Sequence, residues 1–361
     1  MRIAFFTINI DQVGGIESVI TNLSNYFVNK YNYQVEVISL FGKEKVNYNT
    51  KLDKKIKRVY LDLNLLSENN RFSQLFNSYK YAKLLQDFFQ HSIYDFIIST
   101  HFVTNMISII NKKNINGKII ASEHSEYYQA GKLTRILRSI YYKKLDKFIV
   151  LTNEQKELYG RYLKNVKVIN NAISFKSKKS SSCENKKIIT VGRLSQEKGF
   201  DRIIDIFKII SEKHNEWTLD IFGEGEEKRF LKDKINKYGL NNKIKIHPFT
   251  NKIKYELLES SIYVLPSRSE AFSLVLIEAM ECGLPAISFG TSGPKEIILN
   301  NQDGILIEKD NIDRFAEVLD LLIENMDIRK RYGAEAKKNI RRFHIENIAN
   351  EWRGLFRDML H

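Results

Sequence analysis

Four side chains in the second half of this 361-residue chain have the types and spacing to hold a diphosphate and a set of hydroxyls: Arg193, Lys198, Glu270 and Glu278. Arg193 and Lys198 lie in VGRLSQEKGF, Val191–Phe200, directly after a predicted strand and before the helical pattern Asp201–Ile210. A strand-to-helix loop of this kind opens at the carboxyl edge of a sheet, where α/β proteins bind ligands. Arginine offers a planar fork to phosphate oxygens and lysine a point charge. Beside a helix N-terminus the two can hold a diphosphate without a metal. A solvated basic loop would carry the same residues, so the pair alone leaves both readings open.

The stretch SRSEAFSLVLIEAMECGLPAIS, Ser267–Ser288, follows a predicted strand ending at Pro266. Glu270 falls in the loop and Glu278 within the helix that follows, with seven residues between them. Ser273, Leu274 and Val275 would present backbone N–H groups at the helix start, where no intrahelical acceptor exists. A diphosphate placed there gains both those donors and the helix dipole. A carboxylate such as Glu278 can accept two hydrogen bonds from a ribose diol, and Glu270 could bind sugar hydroxyls. Surface glutamates on a helix are the alternative for a lone pair of this kind.

Positioning these groups requires strands and helices in alternation, and the chain supplies them almost throughout. In the first half, Arg2–Asn9, Val35–Phe41, Phe96–Thr100, Lys118–Ser122 and Phe148–Thr152 read as buried strands. A Gly-Gly turn and a helical pattern through Val28 follow the first of these, and Phe72–Phe89 and Leu133–Leu145 have helical periodicity. The segment Ser174–Lys187 is rich in Ser and Lys, lacks an apolar period and is the predicted linker. A second series follows: Ile188–Val191, Leu219–Phe222, Ile244–Ile246, Tyr263–Pro266 and Ala286–Phe289, closed by helices from Asp313 onward. Two α/β domains are expected: residues 1–173, with a final helix at about 344–361 packing back on them, and residues 188–343.

GRLSQEKG, the Glu270–Glu278 stretch and Gly14-Gly15-Ile16-Glu17 after the first strand together resemble the family 4 retaining glycosyltransferases of the GT-B fold. The resemblance spans nearly the whole chain. It implies two Rossmann-like parallel α/β domains facing each other across a cleft. It also implies a nucleotide-sugar donor whose diphosphate is bound by Arg193 and Lys198. Glu278 would bind the ribose, Glu270 the transferred sugar, and the N–H groups of Gly14 and Gly15 the same diphosphate. Arg193, Lys198, Glu270 and His124 would form the catalytic set. Ala271 departs from the pattern, since glycine commonly follows the first glutamate. No Asp-x-Asp pair of the kind that holds Mg²⁺ or Mn²⁺ in other sugar transferases is present, so no metal is expected.

In the first half, SEHSEYY, Ser122–Tyr128, ends a predicted strand and sets His124 at its carboxyl edge. Lone histidines are commonly structural, but this position matches a histidine beside the donor sugar in similar family members. Glu17 and Glu126 could touch acceptor hydroxyls or simply be solvated. Along GKLTRILRSIYYKKLDK, Leu133, Ile136, Leu137, Ile140, Tyr141 and Leu145 form one apolar face, and Lys132, Arg135 and Arg138 recur on another. Such a helix could attract anionic headgroups or an acceptor's pyrophosphate, or could turn its apolar face into the core. SEHS followed by a basic helix also resembles transferases that extend undecaprenyl-pyrophosphate-linked glycans, N-acetylgalactosamine transferases among them.

Charge is distributed unevenly. Residues 1–187 hold 30 Lys and Arg against 15 Asp and Glu, whereas residues 188–361 hold 27 against 28. An anionic membrane or an anionic substrate fits the first half, as would nucleic acid, for which no recognition motif appears. No run approaches the roughly 18 apolar residues of a membrane span. MRIAFFTINI lacks a small-residue cleavage site and reads as a strand. Cys183 and Cys282 have no metal-ligand spacing. A cytoplasmic protein at the inner face of the plasma membrane is expected. It would transfer a sugar, from UDP in the leading reading, to a lipid-linked glycan acceptor. A nucleotide-sugar epimerase or phosphorylase on a similar frame is the alternative, and product analysis with donor alone would separate them.

Overall fold

A computed structural model of the chain describes residues 1–12, 14–42, 51–63 and 71–361. The chain divides into two compact units, Met1–Ser174 with Ile345–His361, and Phe175–His344. The first unit begins β1 (Arg2–Thr7), α1 (Gly15–Tyr31), β2 (Gln34–Ser39), β3 (Lys57–Tyr60), α2 (Arg71–Leu84) and α3 (Gln86–Gln90). It continues β4 (Ile93–Ser99), α4 (Phe102–Ile110), β5 (Asn116–Ser122), α5 (Lys132–Tyr141), β6 (Lys147–Val150), α6 (Asn153–Gly160) and β7 (Val166–Val168). The second unit runs β8 (Lys187–Val191), α7 (Phe200–Lys213), β9 (Thr218–Phe222), α8 (Lys228–Lys237), β10 (Ile244–His247), α9 (Ile253–Leu258) and β11 (Ile262–Leu265). After these come α10 (Leu274–Glu281), β12 (Ala286–Phe289), α11 (Ser292–Ile297), β13 (Gly304–Ile307), α12 (Ile312–Glu324) and α13 (Met326–Asn339). Finally α14 (Ile345–Leu360) returns to the first unit.

Each unit is built on one parallel sheet, ordered β3-β2-β1-β4-β5-β6-β7 in the first and β10-β9-β8-β11-β12-β13 in the second. Strand order reverses between β1 and β4 and again between β8 and β11. The loops at the carboxyl ends of these four strands therefore flank the two natural ligand crevices. Both faces of each sheet are covered, which is why the strands read as continuous apolar runs rather than alternating ones. In the first sheet, Ala4, Phe6, Ile97, Ile119 and Phe148 face a core shared with Tyr81 of α2 and Met106 of α4. On the opposite side Phe356 of α14 packs against Phe96 and Phe27, at ring distances of 4.5 Å and 5.8 Å. In the second unit Ile188, Leu219 and Ile262 share a core with Phe207 of α7 and Phe315 of α12.

The Ser- and Lys-rich segment before β8 is anchored against the second unit. The Ser177 N–H donates to buried Glu281 at 2.7 Å, the Ser181 N–H donates to the Cys282 carbonyl at 2.7 Å, and Cys183 is buried. The far oxygen of Glu281 is shared with His344 at 3.0 Å. One carboxylate thus ties together the segments entering and leaving this unit.

Candidate active site

The GRLSQEKG loop and the Glu270–Glu278 stretch follow β8 and β11, the two strands at which the second sheet reverses order. Backbone bonds knit the loops at this edge. The Leu194 N–H donates to the Glu224 carbonyl at 2.9 Å, and the Arg268 N–H donates to the Glu197 carbonyl at 2.8 Å. The Arg268 guanidinium holds both oxygens of Asp201, at 2.6 Å and 2.5 Å, pinning the start of α7. Gly199 has φ +66°, and a Cβ there would lie 2.2 Å from the Pro266 carbonyl oxygen. Only glycine lets the loop after β8 lie directly on the loop after β11. Gly199→Ala should therefore destabilise the chain by about 1–3 kcal/mol and weaken nucleoside diphosphate affinity together with it. Titration calorimetry alongside thermal unfolding checks this; unchanged affinity would show that the two loops do not act together.

Within this edge Lys198 Nζ and Glu270 Oε2 form an ion pair at 2.7 Å, both largely buried. The Gly293 N–H donates to the Glu270 carbonyl at 2.8 Å, so the first turn of α11 supports the Glu270 backbone. Arg193 is exposed on the same loop as Lys198. Ser273 caps α10, its hydroxyl accepting from the Leu276 N–H at 3.3 Å. Its backbone sits at φ 72°, where side chains other than glycine are uncommon. The N–H groups of Leu274 and Val275 then have no intrahelical acceptor and open the helix at its positive end. Glu278 is buried one turn further along α10. The structure thus gathers Arg193, Lys198, Glu270, Ser273, Leu274, Val275 and Glu278 at one sheet edge.

Sequence reasoning missed Tyr263 of β11. Its hydroxyl is buried, and burial first, then the charges of Glu270 and Glu278, raise its pKa well above that of a free tyrosine. Burial near these two carboxylates keeps the phenol neutral at pH 7. Its signal in the sequence was only one tyrosine inside an aliphatic strand.

In the first unit Gly14 is the N-cap of α1, in extended backbone that any residue can adopt. A Cβ there would lie 2.3 Å from a carboxylate oxygen of Glu17, the far end of a flexible side chain, so this contact alone does not require glycine. Glu17 itself is buried rather than solvated. Gly15 is the first residue of α1. His124 lies two residues past β5, its Nε2 sharing a hydrogen bond with the Ser122 hydroxyl at 3.1 Å. It lines a small cavity with Ile20 of α1, Thr100 after β4 and Trp352 of α14. His101, which the sequence did not single out, caps α4 at the carboxyl end of β4, where this sheet reverses.

Burial, followed by the charge of His101, lowers the His124 pKa to about 3. Burial lowers that of His101 to about 4 against the opposing pull of Glu123. Both rings are therefore neutral in the folded chain near pH 7. In the unfolded chain they take up protons near pH 6.5. Between these values the unfolded state binds more protons, so stability falls as the pH drops below about 6.5. The loss is at most about 1.4 kcal/mol per pH unit for each ring. His124→Gln should flatten this slope in urea unfolding between neutral and mildly acidic pH; an unaltered slope would contradict neutral burial of the ring.

Arg138 requires a correction. The sequence grouped it with Lys132 and Arg135 as a surface cation facing an acceptor or membrane, but its side chain is only 4% exposed. Its guanidinium pairs with Glu123 at 2.6 Å and donates to the Tyr159 hydroxyl at 2.6 Å. Burial disfavours its charge, and Glu123 together with Tyr142 and Tyr159 more than restores it, so its pKa lies above the ordinary value. Lys132 is exposed, and Arg135 lies over the rings of Tyr127 and Tyr128 at 5.3 Å and 5.6 Å.

Residues 13–176 match the family described as Glycosyltransferase Family 4, and residues 172–339 match Glycosyl transferases group 1. The chain is 30% identical to an uncharacterized glycosyltransferase of Haemophilus influenzae, over 98% of this chain and 99% of the relative. It is 28% identical to a Campylobacter jejuni α-1,4-N-acetyl-D-galactosaminyltransferase that acts on a diphosphoundecaprenol-linked glycan, over 98% and 97% of the two chains. Among solved structures, Anabaena HepE in complex with UDP and glucose shares the fold, with a TM-score of 0.80 at 17% identity over 99% and 100% of the chains. With two parallel α/β sheets of seven and six strands and these matches along its whole length, the chain belongs to the family 4 glycosyltransferases of the GT-B fold.

Proposed function

We propose that this glycosyltransferase moves a sugar from a UDP-sugar to a polyprenyl-diphosphate-linked glycan in cell-surface polysaccharide assembly, retaining anomeric configuration and needing no metal. The observation that carries the donor half is the Lys198–Glu270 ion pair, set beside the open N-terminus of α10 at the order reversal of the second sheet. A cation, two N–H donors and two carboxylates converge there, the complement of a diphosphate bearing a ribose and a hexose. Arg193 and Lys198 neutralise the charge that develops as the nucleoside diphosphate leaves, with the Leu274 and Val275 N–H groups. Glu278 takes the ribose hydroxyls and Glu270 the transferred sugar, while Ser273 holds the helix start. By the family resemblance, the neutral His124 ring would offer a hydrogen bond to a sugar hydroxyl. The contribution of Gly14 and Gly15 to the diphosphate rests on the family resemblance. In a front-side displacement the leaving phosphate accepts the acceptor's proton, which would account for the absence of a dedicated base in the proposed set.

Support for UDP and for a lipid-linked acceptor comes from HepE, solved with UDP and glucose, and from the Campylobacter relative's acceptor. The basic first unit suits an anionic acceptor and an anionic membrane surface, with Lys132 and Arg135 as its nearest candidates, while the Glu17 carboxylate could serve only as an acceptor for a saccharide hydroxyl. This would place the protein on the cytoplasmic face of the plasma membrane. Thermal shift across UDP-, GDP- and ADP-sugars, followed by mass spectrometry of products with lipid-linked acceptors, tests the reading. A UDP-sugar should stabilise the chain and mass should be added to the acceptor only; conversion of donor without acceptor would indicate epimerase chemistry instead.

A further inference from the structure

We propose that the buried Glu123–Arg138 pair is a positioning device for His124. It fixes the peptide units on either side of that residue, and so sets where the ring stands at the carboxyl edge of the first sheet. The inference deepens the role given to His124 above and rests on it.

The device is built from consecutive residues. β5 ends at Ser122, yet the next residue is still tied to the sheet, the Glu123 N–H donating to the Ile149 carbonyl of β6 at 2.9 Å. The chain then buries Glu123 and leaves His124 only half-buried. Oε1 of Glu123 accepts from the Ser125 N–H at 3.0 Å and also from the Ser125 hydroxyl. Oε2 takes the Arg138 guanidinium at 2.6 Å. Arg138 is placed in turn by its donation to the Tyr159 hydroxyl of α6, whose ring packs on Phe148 of β6 at 4.9 Å. From the other side, Gln155 of α6 donates to the Ser125 carbonyl at 3.0 Å, while its own side-chain oxygen accepts from the Leu151 N–H at 3.1 Å. Glu123 is thus held by its N–H and its side chain, and Ser125 by its N–H, hydroxyl and carbonyl. Between them the His124 backbone is set by anchors in β6, α5 and α6, and its ring adds the hydrogen bond with Ser122.

The cost of this arrangement argues for a role beyond stability. Two ions are taken from water, their side chains 4% and 7% exposed. A buried pair of this kind is commonly no more stabilising than apolar side chains of the same volume. What the ions provide and an apolar pair does not is direction: with one carboxylate oxygen fixed on the guanidinium, the other is aimed at Ser125. Direction is what a ring meeting a substrate hydroxyl requires, since a misplacement of about 1 Å can cost about 10²-fold in rate. A function in aiming His124 also accounts for an arginine on the inner face of α5, where that residue type is rare unless paired.

Glu123→Met with Arg138→Met tests the assignment, because it removes both charges together and fills their space. The full chain should keep a urea midpoint near that of wild type. Turnover in nucleoside diphosphate release from a UDP-sugar with acceptor should fall by about 10- to 100-fold, and the donor KM should change by less than about twofold. Adding His124→Ala to the double variant should cost far less than it costs in wild type, because one group acts through the other. Ser125→Ala, which leaves the ion pair intact, should lower turnover severalfold in the same non-additive way, and it carries the test if the double variant does not fold. Wild-type turnover in the folded double variant, or losses that simply add to that of His124→Ala, overturn the positioning role. The ¹⁵N resonances of the rings read position without catalysis: those of His124 should move in the double variant, while those of His214 in the second unit stay. If wild type transfers no sugar, moved His124 resonances sink the transfer reading and leave the positioning standing; unmoved ones overturn the positioning.

Discussion

Lys198→Ala is expected to lower turnover by about 10²–10³-fold with the fold intact, the scale of removing one charge-stabilising group from a transition state. Two effects of the same sign combine in it. The cation proposed to face the departing diphosphate is lost, and the Glu270 carboxylate it held at 2.7 Å is left without that partner. Restoring charge with Lys198→Arg should recover only part of the rate, since a guanidinium fork does not reproduce a compact ammonium. Adding Glu270→Ala to Lys198→Ala should cost less than Glu270→Ala costs alone, because paired residues are not additive. Steady-state nucleoside diphosphate release, with circular dichroism as the folding check, measures all three. Turnover comparable to wild type in Lys198→Ala would remove this residue from the site.

The largest expected effect on stability comes from the first unit. Arg138→Met should destabilise the chain by about 3–5 kcal/mol, because it leaves Glu123 buried without its counter-charge. Glu123 is 6% exposed, so water cannot take the place of the guanidinium. Converting the partner as well, with Glu123→Gln, should regain much of the loss, since a neutral amide is far less costly to bury than an unpaired carboxylate. Urea unfolding midpoints of wild type and the three variants give the cycle. An unchanged midpoint in Arg138→Met would mean that the pair does not hold α5 in its orientation.

Much of the fold was legible because parallel sheets covered on both faces leave long apolar runs, and Phe96–Thr100 or Ala286–Phe289 could not easily be anything else. The edge strands β3, β7 and β13 were not recognised; Val166–Val168 is three residues long and Lys57–Tyr60 is half polar. α4 was missed because FVTNMISII is buried on nearly all sides and so shows no polar face to mark its period. The donor-site candidates were legible because loop chemistry at the carboxyl edge is local: Arg193, Lys198, Glu270 and Glu278 each sit beside the strand that positions them. His101 and Tyr263 were not, since their importance comes from strand order and from what lies above them, neither of which spacing encodes. Arg138 failed for a related reason. Helical periodicity gives a stripe but not which side faces inward, and a distant glutamate decided that.

The claim at the centre of this account is a nucleotide-sugar donor held by Lys198, Glu270, Glu278 and the start of α10. The most direct measurement is UDP release from a UDP-sugar in the presence of a glycan acceptor and excess EDTA, for wild type and Glu278→Ala, with the anomeric configuration of the product read by NMR. The account predicts release in EDTA, a product with the donor's configuration, and near-complete loss in Glu278→Ala. Release that needs a divalent cation, an inverted product, or full activity in Glu278→Ala would contradict it.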